Sequence, residues 1–239
     1  MLGSRGMVGL IVPANNSVIL PEIYRALPDG VTAYETRMNV EGDLTVEAVE
    51  RMIADANDAA TLLRQTGVDL ICYCCMVSSV IKGWQWEDEL LAQLAPNAAR
   101  GATSANRAML EALRYLGART VALVTPYPAE LNVLLDGFFA AKDVRVKSVG
   151  GVEVRDVKEV RRLKPEGLRA ICRELDLEGV DALCLLATDM ETLSVIDALE
   201  RELDRPVLSS NQAIIWAILN RLELGTPLSG YGSLLGRGR

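Results

Sequence analysis

Two hydrophobic patterns alternate along this chain. Short apolar runs, three to eight residues long and rich in Val, Ile, Leu and Cys, read as buried strands. They fall at Val8–Val12, Val31–Met38, Val68–Cys75, Thr120–Thr125, Val144–Val149, Val180–Leu186 and Pro206–Leu208. Between them lie longer segments with apolar positions three or four apart, the period of an amphipathic helix. These cover Leu20–Ala26, Val46–Gln65, a turn becoming helical over Ser78–Leu94, a helix capped by Thr103 or Ser104 and running to Leu116, then Ala129–Ala141, Pro165–Leu175, Thr192–Leu203 and Gln212–Leu222. Asp156–Leu163 is a short amphipathic stretch, and the tail from Gly225 onward reads as irregular. Punctuation agrees: Gly42–Thr45 leads into a helix with Thr45 as N-cap, and Gly117 stands where helices stop. Strands alternating with helices predict an α/β fold with parallel sheets covered by helices.

The pattern repeats itself. Gly67-Val68-Asp69 and the strand after it align with Gly179-Val180-Asp181 and its strand, which places Cys75 opposite Ala187. Met7–Pro13 aligns with Thr120–Pro126 at nearly the same offset, and Thr103-Ser104-Ala105-Asn106 echoes Ser209-Ser210-Asn211. The chain therefore reads as two similar α/β halves, pseudo-twofold related, with the functional cleft between them. The expected division is residues 1–102 with 212–239 for one half and 103–211 for the other. Facing strand C-termini would gather four polar turns around that cleft: Asn15-Asn16-Ser17, Cys75 to Ser79, Thr125 to Tyr127, and Ala187-Thr188-Asp189.

Composition narrows the function. A net charge of −7 without a basic stripe argues against nucleic-acid partners. No apolar run approaches the length of a membrane span, and the start lacks the features of a secretory signal, so no membrane partner and a cytoplasmic location are expected. The five cysteines are odd in number and irregularly spaced, which suits free thiols rather than a disulfide framework. The sequence has 0 His, which removes Ser-His and Cys-His catalysis and His-ligated zinc. No phosphate-binding or dinucleotide glycine motif is present, and the expectation is no cofactor and no metal.

What chemistry remains centres on Val68–Gly83, where Cys72, Cys74 and Cys75 sit at a strand's C-terminal end. Free cysteines at such positions are either inert core or a reactive thiol. A thiolate just before a helix N-terminus is favoured by the dipole and free amides, and the expectation for Cys75 is a pKa drawn from about 8.5 toward neutrality. The same amides, with Asn16, Ser78, Ser79 and Thr188, could hold carboxylates without arginine, and Tyr127 could donate to developing negative charge.

The order of Gly9–Ser17 (GLIVPANNS), Tyr73-Cys74-Cys75 with Gly83, Thr125-Pro126-Tyr127 and the C-terminal SGYGSLL resembles the aspartate/glutamate racemase superfamily. More narrowly it resembles the branch holding maleate cis-trans isomerase and arylmalonate decarboxylase, over essentially the whole chain. That resemblance implies an enzyme acting on a small dicarboxylate, with Cys75 and Tyr127 catalytic. It implies that Asn16, Met76, Val77, Ser78, Val157, Ala187 and Thr188 contact substrate, and it is compatible with a homo-oligomer. The superfamily's racemases carry a cysteine on each half; here the second position is Ala187. Met76 and Val77 stand where the decarboxylase has a Thr-Ser oxyanion pair, and so favour the isomerase. Three functions follow in order: thiolate addition to a C=C bond with rotation and elimination; decarboxylation of a substituted malonate with Cys75 as proton donor; and a non-catalytic carboxylate-binding protein.

Overall fold

The computed structural model describes residues 1–40 and 45–237, with the side chain of Val157 outside that description; the predicted turn at residues 42–44 also lies outside it. In chain order the elements are β1 (Gly6–Pro13), α1 (Ile19–Ala26), β2 (Val31–Met38), α2 (Val46–Ile53), α3 (Ala56–Gln65), β3 (Leu70–Tyr73), α4 (Met76–Leu94), β4 (Ala102–Ser104), α5 (Ala105–Leu116) and β5 (Thr120–Thr125). There follow α6 (Ala129–Ala140), β6 (Arg145–Gly151), α7 (Val157–Val160), α8 (Pro165–Glu174), β7 (Ala182–Leu185), α9 (Leu193–Leu203), β8 (Val207–Ser209), α10 (Ser210–Arg221) and α11 (Gly232–Gly236).

The strands form two 4-stranded sheets, ordered β2-β1-β3-β4 and β6-β5-β7-β8, with every pairing parallel. Central strands β3 and β7 are buried throughout, as strands covered on both faces must be, whereas edge strands β2 and β6 carry the exposed positions. The repeated Gly-Val-Asp has a physical role in each sheet. Gly67 and Gly179 take left-handed φ values of 73° and 65°, ending the preceding segment. Asp69 Oδ2 then accepts the Met7 N–H at 2.8 Å, and Asp181 Oδ2 accepts those of Arg119 and Thr120 at 2.9 and 2.7 Å. Each aspartate satisfies the entry of its sheet's first strand.

The halves interlock through helices. In α10, Ser210 through Leu219 are buried and pack chiefly on α5. Trp84 of α4 stacks on Phe138 of α6, with ring centroids 4.4 Å apart, and donates its indole N–H to the Phe138 carbonyl at 2.7 Å. Glu22 of α1 reaches the other way, accepting the Thr192 and Leu193 N–H groups at 2.7 Å each and the Asn211 amide at 2.7 Å. Glu22 thereby fills the capping role at α9.

Several expectations need correction. The helix predicted over Val46–Gln65 is two helices. Ala54 and Asp55 donate to Arg51 and Met52, three residues back, and Asp55 turns its carboxylate to the Asn39 N–H at 2.7 Å. Thr103 belongs to β4, too short for any period to reveal, and Ser104 closes that strand while capping α5 through the Arg107 N–H at 2.9 Å. The chain thus crosses to the second sheet after residue 104. The tail is not wholly irregular: α11 buries Leu234 and Leu235 and ties Ser233 to Glu200. The strand predicted to Cys75 leaves the sheet at Tyr73, and α4 begins immediately at Met76, kinked at Gly83.

Candidate active site

Because β3 stops two residues before α4 starts, Cys75 becomes the N-cap of α4, extended at φ −130° and ψ 118°. It opens onto a cleft of ≈ 560 Å³, open solvent at its mouth included. The cleft is walled by Pro13, Asn15 and Asn16 after β1, Cys75, Met76 and Val77 after β3, Tyr127 after β5, and Thr188 and Asp189 after β7. The strand C-termini of both sheets therefore meet there. The remaining wall is apolar: Val40 beyond β2, with Ala48, Val49 and Met52 of α2.

The thiol is not drawn toward neutrality, contrary to the expectation from its helix N-terminus. Burial pushes the Cys75 pKa up; hydrogen bonds from the Ser78 side chain and the Ser78 and Val77 backbone pull it back only in part, and the Asp189 charge adds to the rise. Amides at the helix start are present, but the surroundings are dry enough for desolvation to prevail. The other cysteines are deeper. Burial pushes Cys72, Cys172 and Cys184 up to about 12 and Cys74 well above its ordinary value, which fits inert core residues.

Asn16 is committed on both ends. Its Oδ1 accepts the Val18 and Ile19 N–H groups at 3.0 and 3.1 Å, serving the start of α1, and its Nδ2 donates to Thr188 Oγ1 at 2.9 Å. The second amide hydrogen of Nδ2 remains for a ligand. Arg37 holds the same turn, donating to the Asn16 carbonyl at 2.7 Å. Thr188 in turn donates to the Cys74 carbonyl at 3.0 Å. One hydroxyl thus ties the ends of β1, β3 and β7 together.

Tyr127 is buried, its backbone fixed by Thr125 and Asn132, while its hydroxyl meets no hydrogen-bond partner among the described residues. Burial first, then the charges of Asp189 and Cys75, push its pKa well above the ordinary value, so it stands as a neutral donor. Asp189 keeps a partly exposed edge in the cleft, yet burial pushes its carboxyl up to about 6.

Two predicted residues stand behind the wall. Ser78 is fully buried, donating to the Cys75 carbonyl at 3.3 Å and backing the thiol. Ala187 is buried with φ 120°, and its N–H donates to Ser210 Oγ at 3.1 Å. Ser79 faces Glu87 in the interior. Val157 begins α7, and its side chain lies outside the described residues. Asn106 and Asn211, the echoed asparagines, hold matching turns: Asn106 donates to the Met76 carbonyl at 3.0 Å and Asn211 to the Thr188 carbonyl at 3.2 Å. Sequence reasoning did not single out α2 as a wall, since Ala48, Val49 and Met52 have the spacing of any core-facing helix.

Paired parallel sheets, with their C-terminal loops closing on one cysteine, define an enzyme of the aspartate/glutamate racemase superfamily. Within it, the chain belongs to the arylmalonate decarboxylase family, whose model matches residues 8–235. It is 30% identical over 242 residues to maleate isomerase from Pseudomonas putida, covering 95% of this chain and 96% of that protein. Among solved structures it is similar to the maleate isomerase Iso from Pseudomonas putida, in a cysteine-to-alanine form with maleate (TM-score 0.92, 29% identity, 98% of each chain). It is also similar to maleate cis-trans isomerase from Nocardia farcinica, in a cysteine-to-serine form with a covalently bound succinylcysteine intermediate (TM-score 0.90, 30% identity, 98% of this chain and 99% of that one). Among the described residues no helix is long and apolar enough to cross a membrane.

Proposed function

We infer that this protein is a maleate cis-trans isomerase-type enzyme acting through Cys75. The observation that carries the reading is the succinylcysteine in the Nocardia relative, alongside a cleft here in which Cys75 is the one lining cysteine among the described residues. As a thiolate, Cys75 adds to one carbon of the double bond, and the π pair moves onto the neighbouring carbon and its carboxylate. The former double bond, now single, rotates, and loss of the thiolate gives the trans acid. The free Nδ2 hydrogen of Asn16 and the amides opening α4 suit the substrate carboxylates, and the unpartnered Tyr127 hydroxyl suits the enediolate. The five unpaired, buried cysteines fit a reducing, cytoplasmic setting.

Decarboxylation of a substituted malonate is the second reading. It is favoured by the single lining thiol and by the apolar wall of Val40, Val49 and Met52, which would suit an aryl group. Proton NMR in D2O separates the two. With maleate, fumarate signals select the isomerase; with a methyl-arylmalonate, a deuterated monoacid selects the decarboxylase. Undiminished turnover by Cys75→Ala would refute both mechanisms, and binding without any turnover would leave a carboxylate-binding protein.

A further inference from the structure

We propose that Asp189 is the second acid–base group of this cleft: it receives the Cys75 proton, delivers it to the substrate carbon next to the one that bonds sulfur, and removes that carbon's other hydrogen as sulfur leaves. The proposal rests on the isomerase reading and names the group that would work opposite its thiol.

The first support is position. Asp189 lines the same cleft as Cys75 and Tyr127 but arrives from the other half, after β7. It stands two residues beyond Ala187, the repeat's counterpart of Cys75, so a proton-carrying side chain is present on the side that lacks a thiol.

The second support is the lack of structural employment. An aspartate just before a helix ordinarily caps it. Here α9 starts at Leu193 with Thr192 as N-cap, and Glu22 takes the Thr192 and Leu193 N–H groups. Among the described residues the Asp189 carboxyl meets no cation and accepts only its own backbone N–H.

The third is what faces it. From the β3–α4 junction comes Cys75, from the β5–α6 loop Tyr127, from the β1–α1 loop the neutral Asn15 and Asn16, and from α2 the apolar Ala48, Val49 and Met52. No lysine or arginine lines the cleft among the described residues. The Asp189 charge bears on both Cys75 and Tyr127, so thiolate and carboxylate oppose one another and the pair favours holding one proton between them. A dianionic substrate strengthens that preference.

The step then balances. The Cys75 proton passes to the Asp189 carboxylate as sulfur bonds to one alkene carbon, and the π pair becomes an enediolate at the other. Asp189 protonates that second carbon, giving a succinyl thioether. After rotation the other hydrogen of that carbon faces Asp189, which removes it; the double bond re-forms, the C–S bond breaks with its pair on sulfur, and Asp189 passes the proton it has taken to Cys75.

Two measurements test this. Iodoacetamide alkylation of Cys75, followed by intact mass from pH 6 to pH 10, requires no substrate. Asp189→Asn should move the midpoint of the alkylation profile to lower pH; an unmoved midpoint in a folded variant overturns the proposal. In D2O with maleate, the wild-type protein should give fumarate with carbon-bound deuterium. Asp189→Asn should lose about 10²-fold or more in kcat with little change in KM, and Asp189→Glu should recover part of the loss. Wild-type kcat in Asp189→Asn also overturns it. Should the wild-type protein leave maleate unchanged, the isomerase reading fails and takes the carbon-protonation step with it, whereas a moved alkylation midpoint would still establish the Cys75–Asp189 pairing. If Asp189→Asn does not fold, Asp189→Ser serves in both arms.

Discussion

Replacing Glu22 by alanine is the most informative single perturbation of this architecture. Its carboxylate is buried and accepts four hydrogen bonds from the opposite half: the Thr192 and Leu193 N–H groups, the Asn211 amide, and the Thr192 hydroxyl at 3.3 Å. Hydrogen bonds to charged groups are worth about 1.5–3 kcal/mol each, and buried donors left unpaired cost about 1–3 kcal/mol each. Against this stands the cost of burying the carboxylate, large enough that desolvation raises the Glu22 pKa despite those bonds. The balance is a loss of about 3–5 kcal/mol for Glu22→Ala, the range seen when one partner of a buried charged cluster is removed. For a chain of this size that is a fall of roughly 10 °C in Tm. Glu22→Gln keeps a carbonyl for the two backbone donors but sets an amide against Asn211, so about 1–2 kcal/mol is lost. The pH dependence carries a definite sign. A carboxyl raised in the folded state contributes stability fully below its unfolded pKa of about 4.3, and that contribution is lost as pH rises through the folded value. The Glu22→Gln penalty should therefore narrow from pH 4 to pH 7. Urea unfolding by circular dichroism at several pH values provides the assay. A Glu22→Ala loss under about 1 kcal/mol, or a Glu22→Gln penalty that widens with pH, would refute the reasoning.

Three further outcomes are expected. Alkylation of Cys75 in the absence of substrate should climb with pH through neutrality into the alkaline range, because the thiolate is the nucleophile and burial raises the Cys75 pKa; a plateau reached below pH 7 would contradict this. Gly83→Ala places a side chain at φ 83° and ψ 172° inside α4, a conformation essentially reserved for glycine. Since an added Cβ meets nothing within 4 Å, the cost is torsional, about 1–3 kcal/mol in thermal melts. The carboxyl of Asp181 is held low by the Arg119 and Thr120 N–H groups, so its contribution is present above the unfolded pKa and is lost as pH falls. Asp181→Asn should therefore shrink the drop in Tm between pH 7 and pH 3, while leaving the rest of the acid transition in place.

The sequence reveals the two halves because both sheets begin the same way, and Gly67-Asp69 and Gly179-Asp181 are needed for the same backbone reasons. It singles out Cys75 because a repeat aligns it with Ala187, even though Cys72 and Cys74 look equally reactive as letters. Other features have no local signature. β4 is three residues long and is stabilised by pairing with β3, not by propensity. Glu22 has the spacing of an ordinary polar helix residue, and only the fold shows it buried against Thr192. The direction of the Cys75 shift depends on how much protein surrounds the sulfur, which no run of residues encodes. Asn16 reads as a ligand or a turn residue; its oxygen serves the turn, one amide hydrogen reaches Thr188 after β7, and the other is left for a ligand.

The interlocked helices make the two copies of the repeat a single thermodynamic object. Excised, residues 1–104 would present Glu22 and Trp84 with no α9 or α6 to receive them, and residues 105–211 would keep both receiving surfaces with nothing to fill them. A duplicated gene segment has thus become indivisible as a molecule. Unfolding should show one cooperative transition, and cutting the chain between its copies should yield two aggregating fragments rather than two small domains.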